Sequence, residues 1–149
     1  MNTNSNAYTI IYASVMVVIV AFVLVFTSYS LKDIQNKKVQ LDKMKQILSS
    51  LNVDTKGQDA EALYNQYIKK EMIINSKGEV VAEQGGFNDV EEKVELSKKL
   101  EERKLTVYVA QAEGQTKYII PLYGQGLWGP IWGYVALNED KNTVYGTYF

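Results

Sequence analysis

The chain has neither cysteine nor histidine among its 149 residues. The missing cysteine excludes thiolate nucleophiles, disulfides and lipid anchoring through a cysteine. The two absences together remove the usual zinc sites and any Ser-His-Asp triad. A net charge of −1 gives nothing global to attract nucleic acid, so no nucleic-acid partner is expected. The sharpest lack is local. Residues 1–31 carry no charged side chain. Residues 32–45 then hold five lysines and two aspartates, a net of +3, and residues 46–149 hold 11 basic and 15 acidic side chains, a net of −4. The length suits one domain, and the chain reads as three zones: apolar, basic, mildly acidic.

The apolar zone contains YTIIYASVMVVIVAFVLVFTSY, Tyr8 to Tyr29. As a helix rising about 1.5 Å per residue it reaches roughly 33 Å, enough for a hydrocarbon layer of about 30 Å. Tyr8 and Tyr12 near one end and Tyr29 at the other resemble an aromatic belt. A cleaved signal peptide is the competing reading. No Lys or Arg precedes the run, however, and Ile10 to Phe26 is longer than the usual signal core, so a retained anchor is expected. Lysines at 32, 37, 38, 43 and 45 follow the span and by themselves would hold that flank in the cytoplasm.

Leu31, Ile34, Leu41, Met44, Leu48 and Leu51 fall at steps that suit one helix face. One helix is therefore expected to leave the membrane, continue to about Ser50 and pack on the chain's own domain. Gly57 marks a stop. Asp59 reads as the N-cap of a second helix, AEALYNQYIKK, with Ala62, Leu63, Tyr67 and Ile68 inward. EMIINSKGEVVAE reads as a hairpin around Asn75 to Gly78. The charged run GGFNDVEEKVELSKKLEERK reads as an exposed loop with some helix. The last 45 residues hold nine of the 17 aromatics and six of the ten glycines. They read as strand pairs turning at Glu113-Gly114 and at Asn138 to Asn142. The fold class is α+β: a single N-terminal transmembrane helix followed by helices packed on an antiparallel β-sheet. Glu139 and Asp140, adjacent carboxylates, fall in a turn and suit local hydrogen bonding better than acid–base or metal chemistry.

Between two of these strands lies GQGLWG, residues 124–129, a formal match to G-x-G-x-x-G. A dinucleotide site needs a helix after the third glycine. Here Pro130 and IWGYVAL follow, which is strand chemistry. Three readings stay open for Gly126, Leu127, Trp128 and Trp132: a tight turn with tryptophan filler, a loop against a bound cofactor, or a partner contact.

The stretch PLYGQGLWGPIWGYVALNEDKNTVYG, Pro121 to Gly146, resembles the FMN-binding domain family, and within it the C subunits of Na⁺-translocating NADH:quinone reductases. The short N-terminus, the single span and YIKKEMIINSKGEVV agree with the same layout. The resemblance implies an electron-carrying flavoprotein subunit of a bacterial inner-membrane complex that oxidises NADH, reduces a quinone such as ubiquinone and exports Na⁺. Its partners would be the other subunits and the lipid bilayer, with the soluble domain periplasmic despite the lysine count. In that family FMN is joined through its phosphate to a threonine in an S-G-A-T-like motif. No such motif occurs here, around Thr143, Thr147 or elsewhere, so no covalent FMN residue, catalytic residue or metal ligand is assigned. Gly126, Leu127, Trp128 and Trp132 are the candidate cofactor-side residues. The expected layout is an anchor at 1–30, a juxtamembrane helix at 31–52, and at 53–149 a partial FMN-binding-type domain whose C-terminal part is missing. The rival is a non-catalytic, membrane-anchored extracytoplasmic binding or sensing module.

Overall fold

The computed structural model describes residues 6–149, apart from the side chain of residue 93; the first five residues of the expected anchor lie outside it. The chain divides into a unit ending at Gln40 and a unit Leu41–Phe149.

Helix α1 runs unbroken over Asn6–Ser50. From Thr9 to Gln40 every residue is exposed, including Ile10 at 66%, Val17 at 68% and Phe26 at 75%. In water so much bare apolar surface is costly, at about 25 cal/mol per Å²; a lipid solvent removes that cost, and a helix satisfies its own backbone there. The segment is long and apolar enough to cross a membrane. Leu31 and Ile34, expected on the packing face, are exposed at 44% and 58%. The spacing is helical, but burial begins only near Leu41, where α1 enters the second unit. Ile47 and Leu48 are then fully buried. The helix closes with Val53 N donating to Leu48 O at 3.2 Å across Asn52, which takes a positive φ of 60°, a left-handed cap.

Helix α2, Ala60–Tyr67, starts where expected: Asp59 accepts from the Glu61 N–H at 3.0 Å. It is shorter than predicted, because the chain passes straight into strand β1, Ile68–Asn75. Of the residues expected inward, Leu63 and Tyr67 pack partly buried against the core and Ile68 is buried. Only Ala62 is exposed, while Ala60 and Tyr64 are buried in addition. Tyr64 reaches the β1 residue Glu71, to which its hydroxyl donates at 2.8 Å, and that fixes the rotation of the helix.

β1 turns at Asn75 to Gly78 into β2, Val80–Ala82. The charged run forms α3, Gly86–Asp89, and α4, Glu92–Ser97, then a 3₁₀ turn, Leu100–Glu102. It is less exposed than expected, since Phe87 and Val90 are buried at 7% and 4%. Two apolar side chains suffice to tie an otherwise solvated segment to the core. Strands β3, Lys104–Ala112, β4, Gln115–Gln125, β5, Pro130–Leu137, and β6, Val144–Tyr148, follow as a meander. Glu113 and Gly114 take φ of 53° and 74°, the paired positive values of a type I′ hairpin turn. The sheet order is β2-β1-β3-β4-β5-β6, antiparallel throughout, and the α+β class holds.

The two faces of the sheet differ. On one, Thr106, Tyr108, Ala110, Ile119 and Ala136 are at 0% exposure, packed with Ile47, Leu48, Tyr64 and Phe87 from the helices. Alternate residues of the same strands, Val107, Val109, Ile120 and Val135, are only half-buried.

Candidate functional site: an aromatic cleft beside an exposed hairpin tip

β4 and β5 pair as far as Gln125 opposite Pro130, with Tyr123 opposite Trp132 and Pro121 opposite Tyr134. Side chains two apart share a face, so these four lie on the face that carries the helices. Against α4 they form a cleft of about 240 Å³, lined by Glu92, Leu96, Pro121, Tyr123, Trp132 and Tyr134.

Its polar anchor is Glu92. One carboxylate oxygen accepts from the Tyr108 hydroxyl at 2.8 Å and meets the Lys43 ammonium at 2.9 Å. Lys43 also donates to Phe87 O at 3.0 Å and lies 4.6 Å from that ring's centre. Tyr108 and Tyr134 meet edge to face, 6.3 Å apart. Burial, and then the charge of Glu92, push both phenols well above the ordinary tyrosine range. Both stay protonated at neutral pH and offer no base. Among the described residues the cleft presents aromatic surface and one carboxylate, and no lysine or arginine lines it. That suits a flat aromatic group better than an anion.

The four residues expected at the cofactor are not brought together. Trp132 lines the cleft and is 53% exposed. Gly126 closes the hairpin turn, its N–H donating to Gly129 O at 2.8 Å. A Cβ there would lie 2.6 Å from Ile131 Cδ1, so any side chain at this position requires Ile131 to turn aside. Leu127 and Trp128 form the tip, exposed at 93% and 97%. No helix follows the third glycine, as the sequence argued. Sequence reasoning missed Tyr123, Tyr134 and Glu92. The two tyrosines were within reach, since pairing the strands around 126–129 sets Tyr123 against Trp132. Glu92 was not, because nothing local separates it from its charged neighbours.

A second polar cluster lies at the β5–β6 turn. Lys117, 1% exposed, donates to Gln115 Oε1 at 2.9 Å and Asn138 Oδ1 at 2.6 Å, and sits 4.2 Å from the Tyr145 ring centre. Asp140 accepts from the N–H groups of Asn142 and Thr143 and from the Thr143 hydroxyl, the turn role expected of it.

No family model matches the chain. Among curated proteins it is similar to the C subunit of the Na⁺-translocating NADH-quinone reductase of Vibrio vulnificus, 28% identical over 135 residues, covering 80% of this chain and 53% of that protein. To the C subunit of the Pasteurella multocida reductase it is 30% identical, with 80% and 53% covered. Among solved structures it is similar to the C subunit from Parabacteroides distasonis, with 40% identity, a TM-score of 0.68, and 78% of this chain and 56% of that one covered. The chain spans about half the length of the curated relatives it matches. The resemblance read from the sequence is borne out: the chain is a relative of these C subunits.

Proposed function

From that kinship with the C subunits of the Na⁺-translocating NADH-quinone reductases, we propose that the chain works in a membrane complex of that type as a membrane-anchored, electron-carrying subunit. The observation that carries this reading is the 40% identity, at a TM-score of 0.68, to the Parabacteroides distasonis protein. The complex oxidises NADH, reduces a quinone and moves Na⁺; its other subunits and the bilayer are the partners. α1 spans a bacterial inner membrane once, and the unit Leu41–Phe149 faces the periplasm. A literal lysine count would place that unit inside, but the contacts of an assembled complex override a bias of five lysines diluted along a helix.

The expected cofactor is FMN, and the described residues fit it only in part. Trp132 and Tyr123 offer a ring system an aromatic wall. Among the described residues the phosphate finds nothing comparable: there the cleft carries the carboxylate of Glu92 and no cation. Thr143 is engaged by Asp140, and Thr147 is exposed on the last strand. No covalent flavin is therefore proposed on Thr143 or Thr147. The part of Trp132 and Tyr123 is a wall that excludes water and orients a ring, while the redox chemistry would belong to the flavin itself.

Two measurements test the proposal. A reporter active only in the periplasm, fused after Ser50, should be active; a silent periplasmic reporter beside an active cytoplasmic one would reverse the orientation. After co-expression with a flavin transferase, these 149 residues should give no fluorescent band in a denaturing gel, and the Parabacteroides distasonis C subunit should give one. Fluorescence at 16.9 kDa would mean that a threonine such as Thr143 or Thr147 accepts the flavin without the motif. No band from the Parabacteroides distasonis protein would remove the flavoprotein reading.

A further inference from the structure

The membrane-crossing part of α1 carries a furrow. A recess of about 370 Å³ lies along Val17, Val20, Ala21 and Leu24, and Leu24 leads into a second of about 480 Å³ that ends on Ser28, Tyr29 and Lys32. Residues three and four apart share a helix face, so the two recesses run on as one. From Val20 to Tyr29 the helix rises about 14 Å, close to half of a hydrocarbon layer of about 30 Å. The inner part of the furrow is wholly apolar. Its outer end is where polarity begins: residues 1–31 hold no charge, and Lys32 is the first. Thr27 donates its hydroxyl back to Val23 O at 2.7 Å, whereas among the described residues the Ser28 hydroxyl on the furrow makes no such bond. The lysines beyond the span also divide. Lys43 is held by Glu92, and Lys45 stands 4.0 Å from Asp42. Among the described residues Lys32, Lys37 and Lys38 enter no ion pair, although Asp33 stands one turn before Lys37.

We infer that this furrow is a site for one phospholipid of net negative charge. An acyl chain lies along Val17 to Leu24, and the phosphate meets the Lys32 ammonium and the Ser28 hydroxyl at the membrane boundary. Charge selects this occupant. A second apolar helix would fill the inner furrow, but it would bring nothing to match an ammonium that has no carboxylate of its own. A free phosphate would match the ammonium and leave the apolar length bare. A phospholipid has both parts at the required separation, with its phosphate just outside the hydrocarbon. A zwitterionic headgroup carries its own ammonium, which competes with Lys32; an anionic headgroup leaves its phosphate to the lysine. Lys37 and Lys38, about 12 and 14 Å beyond Tyr29 along the helix, reach back toward the same layer on long flexible stems. The inference rests on reading α1 as a membrane span and is independent of flavin binding.

To test it, the full 149-residue chain is purified in a neutral detergent and titrated with dioleoylphosphatidylglycerol or dioleoylphosphatidylcholine, and bound lipid is counted by native mass spectrometry. The expected result is one phosphatidylglycerol retained in preference to phosphatidylcholine. Lys32→Gln should weaken phosphatidylglycerol about fivefold, the share of one lysine at an anionic surface, and leave phosphatidylcholine unchanged. Lys56→Gln, the same change at an exposed position outside α1, should alter neither. Ala21→Phe fills the furrow while keeping the span apolar, and should weaken both lipids. Equal affinity for the two lipids in the parent chain would overturn the inference, as would an undiminished preference in Lys32→Gln or unchanged binding in Ala21→Phe. So would displacement of the lipid by glycerophosphate at matching concentration, which means a headgroup site without the furrow, or a lipid-free dimer, which means a second helix. Carbonate extraction of membranes separates the two levels of the argument. A chain that is released removes the spanning reading and this inference with it; a retained chain without the lipid preference removes this inference alone.

Discussion

The hydroxyl of Tyr108 donates to a carboxylate oxygen of Glu92 at 2.8 Å, joining the middle strand of the sheet to the first turn of α4. The same oxygen holds Lys43, and the two ion-pair side chains are only 19% and 16% exposed. One carboxylate thus ties together the last turns of α1, a short helix and the sheet. Removing Tyr108's hydroxyl removes a hydrogen bond to a charged group, worth about 1.5–3 kcal/mol. Tyr108→Phe should lower the unfolding free energy by that order in urea titrations in detergent. Glu92→Ala should cost more, since it leaves the Lys43 ammonium and the Tyr108 hydroxyl without their shared acceptor. Equal losses for the two variants would show that Lys43 draws nothing from the pair.

Gly146 on β6 lies against the end of α1. A Cβ there would collide with the Ser50 carbonyl oxygen and come within 3.0 Å of the Asn52 side chain. A backbone oxygen cannot swing aside as a side chain can, so Gly146→Ala should destabilise by about 1–3 kcal/mol, as overpacking does. Gly124→Ala is the comparison: nothing lies within 4 Å of its Cβ position, and its midpoint should move little. Differential scanning of both variants beside the parent chain reads the difference.

Elements marked by local chemistry were legible in the sequence. Asp59 caps its helix, Asn75 to Gly78 and Glu113-Gly114 turn their hairpins, and the β-branched and aromatic run IWGYVAL argues against a helix after the glycines. What was not legible depended on partners far along the chain. The rotation of α2 is set by Tyr64 meeting Glu71, and the burial of Phe87 by the sheet beneath it. Of the candidate site, Trp132 was found, but Tyr123 and Tyr134 required the strand register and Glu92 required knowing where Tyr108 ends. The apolar steps of α1 carried period but not position, because Leu31 and Ile47 obey the same spacing in different surroundings.

That difference is measurable. Ile47 is fully buried and Ile34 is 58% exposed on the same helix. Ile47→Ala opens a cavity in the core and should cost about 2–5 kcal/mol. Ile34→Ala should leave the unfolding of Leu41–Phe149 within about 0.5 kcal/mol of the parent, as exposed substitutions do. A large loss at Ile34 in urea titration would mean that the core extends further up α1 than Leu41.

Asp140 supplies a pH signature for the β5–β6 turn. The Thr143 hydroxyl, then the Asn142 and Thr143 N–H groups, hold its carboxylate down to about 2 from an ordinary 3.8. A carboxylate depressed on folding adds stability at pH above its ordinary value, and that stability is lost as pH falls from there through the folded value. The window is therefore about pH 4 down to 2, and the effect is small because the group is exposed to solvent screening. Carboxyl carbon NMR should show Asp140 titrating near 2. Thr143→Val, which removes the first of those donors, should raise the midpoint toward the ordinary value. An Asp140 that titrates like a free aspartate in the parent chain would mean that the Asp140–Thr143 bracket does not form in solution.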